Sequence, residues 1–197
     1  HYSTEEIIEY AQVKIGDNSQ ALRLDRIAAR VLEADFVEKA RVTRTYPSTL
    51  TITVVEKKPV ALLNFDDQLY CVDKLGMVLP SRAGSMYNLP VISGRFAGGV
   101  KTGSPVESRN VKEALKLVLN ILYKKPELYG DVSEIVTGMR EGLVLYTTEN
   151  NIKVKFGDEN VVHKLYVLEA AMRRIAQKNL HNKLEYIDLR FDGQVLL

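Results

Sequence analysis

The residues that come nearest to a chemical motif in this sequence are the glycines from Gly94 to Gly99 and the nearby Lys101. In a phosphate-binding loop a lysine directly follows the last glycine, and a helix begins there. Here Val100 separates Gly99 from Lys101, and the following residues do not predict a helix. The stretch is therefore predicted to be a surface loop without a phosphate site.

Histidine and carboxylate groups are also poorly arranged for catalysis. The three histidines, His1, His163 and His181, are far apart and belong to no H-E-x-x-H motif, so no metal site is expected. The pairs Glu5–Glu6 and Asp66–Asp67 are expected at a helix N-terminus and in a loop. The sequence also contains no G-x-S-x-G elbow and no Cys–His signature. It therefore predicts a protein that is not an enzyme, with no catalytic residue, metal, cofactor or small-molecule substrate.

Composition is that of an ordinary soluble globular protein. The chain has 197 residues, of which 46% are hydrophobic and 26% charged, enough for one or two domains. A net charge of +2 and dispersed tyrosines do not favour nucleic acid as a partner. The single cysteine, Cys71, rules out an internal disulfide and is predicted to be buried. No apolar run approaches the roughly 20 residues that cross a bilayer.

The candidate binding feature that the sequence does offer is a β-strand near the C-terminal end of the chain, whose main-chain groups could form hydrogen bonds. The stretch Tyr186–Gly193 alternates apolar and polar residues, which predicts a strand over 184–191. The candidate docking residues are Tyr186, Ile187, Asp188, Leu189, Arg190 and Phe191. The odd-numbered members are expected to face the core and the even-numbered members the opposite side. If this strand lies at a sheet edge, its unpaired N–H and C=O groups can bind a partner's strand; the alternative is a central or covered strand.

The first part of the chain predicts two helices followed by two strands. Ser3–Glu6 is a capping box that begins the first helix, and Asp25 is expected to cap the second. Alternation over 40–46 and 49–54 then predicts a β-hairpin. Pro59 lacks an N–H group, so the second strand must end before it. We therefore predict a boundary between a domain at 1–58 and a domain at 59–197.

The second part predicts a larger α+β domain. Asp73–Gly76 is expected to be a hairpin turn in which Gly76 has a positive φ. A helix is predicted from Ser108 until Pro126, and another over 161–175. Short extended stretches are predicted at 69–72, 77–79 and 89–94, and strands at 132–137, 143–147, 152–156 and 184–191. The predicted class is α+β, with two helices on a small sheet first and a mixed, antiparallel-rich sheet afterwards.

Four stretches resemble the FtsQ/DivIB family of bacterial cell-division proteins. The longest, Val42–Ala61, resembles the family signature V-x-R-x-[WY]-P-x-T-L-x-I-x-V-x-E-x-x-P-V-A. Cys71–Gly76 resembles L-V-D-x-x-G, with cysteine in place of the commoner leucine. Leu89–Gly94 resembles L-P-x-[LI]-x-G, and Tyr186–Phe191 resembles Y-V-D-L-R-Y. The resemblance extends over nearly the whole chain in the family's order.

The resemblance implies a small POTRA domain followed by a larger β domain. It also implies a cytoplasmic tail and one transmembrane helix before residue 1, which makes this chain the extracytoplasmic part of a single-pass inner-membrane protein at the division septum. Family members are non-catalytic scaffolds of the divisome. They bind FtsB and FtsL, whose strand pairs with the final strand of the β domain, and the POTRA domain contacts other divisome proteins.

Two other classes remain as alternatives. A POTRA-bearing component of transport or outer-membrane assembly has the same first domain, but it continues into a long barrel of strands of about 10 residues. A peptidoglycan hydrolase is the enzymatic alternative, and an assay of muralytic activity is expected to detect none.

Overall fold

The computed structural model describes residues 2–80, 87–95, 97–157, 159–178 and 185–190. Contacts within the chain separate two compact units, His1–Lys58 (unit 1) and Pro59–Leu197 (unit 2). In the described residues, unit 1 has a two-stranded sheet and unit 2 an eight-stranded sheet.

Unit 1 contains α1 (Thr4–Ala11), α2 (Leu24–Leu32), β1 (Val37–Thr45) and β2 (Thr49–Glu56). The predicted capping box is confirmed, since Ser3 Oγ accepts the N–H of Glu6 and the Glu6 carboxylate accepts the N–H of Ser3. The prediction that Asp25 caps α2 is wrong. The N-cap is Arg23, and Asp25 lies in the first turn, where its carboxylate pairs with the Arg23 guanidinium. An acidic residue is stabilising in the first turn as well as at the N-cap, because its charge interacts favourably with the helix dipole. The sequence therefore does not distinguish between the two positions.

The hairpin of β1 and β2 supplies one side of the unit 1 core. Val42 lies opposite Ile52 in antiparallel register. Leu50, Ile52 and Val54 of β2 contact a buried cluster that includes Ile27 of α2, while the threonines between them are exposed. The predicted alternation is therefore confirmed, and β2 ends at Glu56, before Pro59.

Unit 2 contains β3 (Pro59–Phe65), β4 (Gln68–Asp73), β5 (Val78–Leu79), β6 (Val91–Gly94), α3 (Arg109–Lys124), α4 (Pro126–Tyr129), β7 (Val132–Met139), β8 (Gly142–Thr147), β9 (Lys153–Lys155), α5 (Val161–Lys178) and β10 (Tyr186–Asp188). Strand β3 is absent from the sequence-based prediction, because Val60–Leu63 is apolar without alternation. It forms a hairpin with β4 around Asp66 and Asp67, whose φ angles of 49° and 59° suit a two-residue turn.

The eight strands of unit 2 form one sheet in the order β10-β9-β8-β7-β6-β3-β4-β5. The pairs β3–β4, β4–β5, β7–β8 and β8–β9 are antiparallel, and the pairs β3–β6, β6–β7 and β9–β10 are parallel. The predicted α+β class with a mixed, antiparallel-rich sheet is confirmed.

One row of apolar side chains crosses six strands and forms the centre of the unit 2 core. In register from β10 to β3, the row consists of Ile187, Val154, Leu145, Ile135, Ile92 and Leu63. All of them are fully buried, and α3 and α5 add Val118 and Leu165 to the same cluster. Burial of one such side chain stabilises a fold by about 1.5–3 kcal/mol. The row therefore fixes the last strand, β10, to the body of unit 2.

Candidate docking edge

Among the strands that the structure describes, β10 lies at one end of the larger sheet. Its residues Tyr186–Asp188 pair with β9 in parallel, with Ile187 opposite Val154. The sequence predicted a strand from residue 184 to residue 191, but Leu189 and Arg190 have no strand structure. Positions 184 and 191, and with them the candidate residue Phe191, lie outside the described residues.

The main chain of β10 presents polar groups on its outer side. The N–H of Leu189 donates to the carbonyl oxygen of Lys155 in β9 at 2.9 Å. Because successive residues of an extended chain point these groups to alternate sides, the N–H and C=O groups of Tyr186 and Asp188 point away from β9. In the part of the chain that the structure describes, no strand pairs with this outer side.

Two of the candidate residues fix the edge to the core. Ile187 is fully buried and Leu189 is 2% exposed, and both belong to the hydrophobic cluster of unit 2. The prediction that these side chains face the core is confirmed. They anchor the edge and are not themselves available to a partner's side chains from solvent.

Asp188 differs from its predicted environment. It was expected to project from the sheet, yet it is 2% exposed. Its Oδ1 accepts the backbone N–H of Arg190 at 3.0 Å, and its Oδ2 accepts Nη2 of Arg190 at 2.6 Å. The hydrogen bonds from Arg190 lower the pKa of the Asp188 carboxyl below its ordinary value. The Asp188 side chain thus folds back onto the chain two residues later, at the point where β10 ends.

Three further polar side chains line the same face of the sheet beside β10. The Nζ of Lys155 lies 3.8 Å from the ring centroid of Tyr186 and 3.5 Å from a carboxylate oxygen of Glu141. The Nζ of Lys153 lies 3.1 Å from the other Glu141 oxygen, and its hydrogen bond lowers the pKa of that carboxyl. With Asp188 and Arg190, this face carries three cations and two anions.

In the predicted strand 152–156, lysines alternate with apolar residues, which places Lys153 and Lys155 on the face away from the core but does not connect them with β10. The signal that could have made the connection is the helical pattern between β9 and β10. Two strands joined through a helix are expected to pair in parallel, which puts both lysines next to Tyr186 and Asp188. Glu141 carries no such signal, because it lies in the turn between β7 and β8.

The opposite edge of the sheet, β5, is covered by its own chain. The N–H of Val78 donates to the carbonyl oxygen of Ser104 at 3.0 Å, and the N–H of Gly103 donates to the carbonyl oxygen of Val78 at 2.8 Å. Met77 forms a further bridge with Pro105. The segment 101–106 thus occupies the outer side of β5.

The remaining chemical candidates have structural environments. Gly94 has a φ of +117°, and a Cβ there would lie 2.1 Å from the carbonyl oxygen of Thr137, so this glycine serves close backbone packing. The loop that follows leads into no helix before Arg109 in the described residues.

Cys71 is buried as predicted, which raises the pKa of its thiol. His163 is exposed on α5, whereas His1 and His181 lie outside the described residues. No group of three or more His, Cys, Asp or Glu side chains that could hold a metal ion is found where the structure describes the chain.

Unit 1, with its two helices and hairpin, and the larger α+β unit 2 each match the profile of a known domain family. The profile described as "POTRA domain, FtsQ-type" matches residues 1–57, and the profile described as "FtsQ/DivIB, C-terminal related" matches residues 58–197. The chain belongs to the FtsQ/DivIB family of cell-division proteins, as its four sequence stretches predict. The match of 58–197 favours this family over the POTRA-bearing transport proteins that were the alternative.

Several cell-division proteins are similar to this chain over nearly its whole length. The cell division protein FtsQ of Geotalea daltonii is 29% identical over 194 residues, which cover 98% of this chain and 70% of the relative. The FtsQ of Geobacter sp. strain M21 is 30% identical over 200 residues, covering 99% and 70%. The cell division protein DivIB of Clostridium acetobutylicum is 24% identical over 193 residues, covering 96% and 75%.

Within the described residues, no helix combines the length and the apolar character that a membrane span requires.

Proposed function

We propose that this chain is the extracytoplasmic part of a single-pass inner-membrane protein that acts at the division septum as a non-catalytic scaffold. Its domains are 1–58 and 59–197. The second domain binds FtsB- and FtsL-type partners by strand addition at β10, and the first contacts other division proteins. Membership of a cell-division family supports the divisome role.

The observation that carries this proposal is the outer side of β10. Tyr186 and Asp188 direct two N–H and two C=O groups away from β9, and no described strand pairs with them. An unpaired edge of this kind is a template for another strand. The burial of Ile187 and Leu189 holds the template in place before a partner arrives.

The shortness of β10 determines how affinity is divided between main chain and side chains. Strand β10 has three residues, so it offers few main-chain hydrogen bonds, each worth about 0.5–1.5 kcal/mol net. Because Ile187 is already fully buried, the side chains of a partner strand would lie near Tyr186 and Arg190, on the opposite face of the sheet.

The experiment that tests the proposal is a charge reversal at Arg190. An Arg190→Glu protein places two carboxylates together at the edge, and we expect binding of the extracytoplasmic FtsB and FtsL segments to fall by about tenfold or more. Arg190→Lys is the matched control, because it keeps the positive charge. Undiminished affinity of a folded Arg190→Glu protein, measured by calorimetry, would exclude this site. Leu189→Pro is unsuitable, since the Leu189 N–H pairs with β9 and its side chain is buried.

For unit 1, the proposed contact surface is the groove between α1 and β2. It has a volume of about 320 Å³ and is lined by apolar side chains that include Ile7, Ile8 and Ile52. Ile8 is 45% exposed, so it is accessible to an extended apolar segment of another division protein. An Ile8→Glu protein is expected to keep FtsB and FtsL binding through β10 while it loses recruitment to the septum, as observed by fluorescence microscopy.

A further inference from the structure

We propose that Asp188 is a positioning residue of the docking edge, which withdraws the N–H of Arg190 from the edge and holds the Arg190 guanidinium beside it. A partner strand that pairs with Tyr186 and Asp188 is then interrupted at Arg190. This inference rests on the proposed strand addition at β10.

The N–H of Arg190 is bound by the Asp188 side chain. Leu189 donates its N–H to Lys155 of β9 at 2.9 Å. If the strand continued, the N–H of the next residue, Arg190, would point to the outer side, as do those of Tyr186 and Asp188. It would be the next donor of the edge, but it donates instead to Asp188 Oδ1 at 3.0 Å. A side-chain acceptor two residues back replaces the partner strand at this one position.

The guanidinium of Arg190 is also held by Asp188. Its Nε lies 2.9 Å from Asp188 Oδ1, and its Nη2 lies 2.6 Å from Oδ2, which is a two-point contact of fixed direction. The Asp188 side chain is 3% exposed and that of Arg190 is 33% exposed. The carboxylate is thus buried, while part of the guanidinium remains accessible. Asp188 therefore holds the Arg190 side chain at the edge without being exposed there itself.

The neighbours of this pair are compatible with the contact between Asp188 and Arg190. Lys155 attracts the Asp188 carboxylate, but its ammonium lies over Tyr186 and against Glu141. On the other side, a Cβ on Gly157 would lie 3.3 Å from Arg190 Cγ, so the glycine allows the arginine stem to lie against the backbone. Asp188 contacts both the main-chain N–H and the guanidinium of Arg190, so its substitution affects both groups.

The test is backbone amide exchange, measured by NMR on the whole chain alone and with the extracytoplasmic FtsB and FtsL segments. In the unsubstituted protein, Arg190 is expected to be protected before the partners are added and to change little afterwards, whereas Tyr186 and Asp188 gain protection. In Asp188→Ala, the Arg190 amide is expected to be unprotected alone and to gain about fivefold or more protection in the complex.

Asp188→Asn keeps an Oδ1 acceptor without the negative charge, and it separates the two roles. Its Arg190 amide should behave as in the unsubstituted protein, while affinity for the partners falls about threefold or more because the guanidinium is held less firmly. This variant and the unsubstituted protein still decide the question if Asp188→Ala does not fold.

The inference is overturned if partners protect the Arg190 amide of the unsubstituted protein together with those of Tyr186 and Asp188. That result would leave the docking site itself intact. If instead the partners protect neither Tyr186 nor Asp188, the proposed strand addition fails.

Discussion

The two edge strands of the eight-stranded sheet, β5 and β10, differ in whether their outward N–H and C=O groups are hydrogen-bonded by another segment of the chain. At β5 the chain turns back, and Gly103 and Ser104 hydrogen-bond to both main-chain groups of Val78. At β10 no described segment does so for Tyr186 or Asp188. Both edge strands are short, two residues at β5 and three at β10.

The difference between β5 and β10 shows that an edge strand can lack a covering segment and still be fixed to the core. An unpaired edge invites non-specific pairing with other chains, and proteins normally cover or interrupt it. The β10 edge is anchored by Ile187, and the N–H of Arg190 just beyond it donates to the Asp188 carboxylate. We interpret the β5 edge as closed for stability and the β10 edge as kept open, over a limited length, for a partner.

The largest expected effect is on the anchor of the open edge. Ile187→Ala removes a fully buried side chain from the end of the core row, and we expect the free energy of unfolding to fall by about 2–5 kcal/mol. Ile187→Val, the control, should cost about 0.5–1.5 kcal/mol. Urea unfolding followed by circular dichroism measures both. A loss under about 1 kcal/mol for Ile187→Ala would mean that β10 is not anchored by burial.

The next effect concerns the closed edge. Gly103 has a φ of +77°, which proline cannot adopt, and its N–H covers Val78. Gly103→Pro should therefore detach the covering segment, lower the free energy of unfolding by about 2–3 kcal/mol and promote self-association through the exposed β5 edge.

Gly103→Ala is the milder control, since a Cβ there meets open space and only the positive φ costs about 1–2 kcal/mol. Sedimentation velocity at several concentrations distinguishes the two variants. A Gly103→Pro protein that stays monomeric and fully stable would show that the cover does not matter.

A smaller effect is expected at the open edge itself. Tyr186→Pro removes an outward N–H that no described strand pairs with, and proline is tolerated at the first residue of a strand. Affinity for the FtsB and FtsL segments should fall about tenfold, with the free energy of unfolding nearly unchanged. Tyr186→Phe keeps both the N–H and the ring, so it should bind normally. Equal affinities of the two variants would contradict main-chain pairing at this residue.

The smallest effect is a dependence on acid. The hydrogen bonds from Arg190 lower the pKa of Asp188 in the folded protein. Its contribution to stability is therefore fully present above the unfolded pKa of about 3.9 and is lost as pH falls through the lower folded pKa. The cations that face it are Arg190 and Lys155, and Asp188 raises the pKa of Arg190, which keeps its charge throughout this range.

Asp188→Asn should consequently lose less stability than the unsubstituted protein between about pH 4 and pH 2. Urea midpoints measured across this range test the sign. Parallel acid profiles for the two proteins would mean that Asp188 does not contribute.

The parts of the fold that follow local patterns could be predicted from the sequence. Ser3–Glu6 begins a helix by its capping box, and Gly76 has the expected positive φ of 80°. Alternation identified β2, and Pro59 marked its end. Each of these features depends on a particular residue type at a particular position or spacing, so it can be predicted from the sequence alone.

The end of β10 could not be predicted in the same way. In a period of two, Asp188 and Arg190 look like any polar residues on the outer face of a continuing strand. Whether an aspartate accepts the N–H two residues later, and so ends the strand, depends on competition between a local hydrogen bond and a ladder. Likewise, the continuous apolar stretch Val60–Leu63 hid β3, because it does not alternate.

Amide exchange at the two sheet edges tests the central claim most directly. In the protein alone, the amides of Tyr186 and Asp188 should exchange faster than that of Val78, which is hydrogen-bonded at the covered edge. Addition of the extracytoplasmic FtsB and FtsL segments should slow Tyr186 and Asp188 and leave Val78 unchanged. Tyr186 and Asp188 amides that are already protected in the protein alone, or that the partners leave unaffected, would contradict an open edge that binds a partner strand.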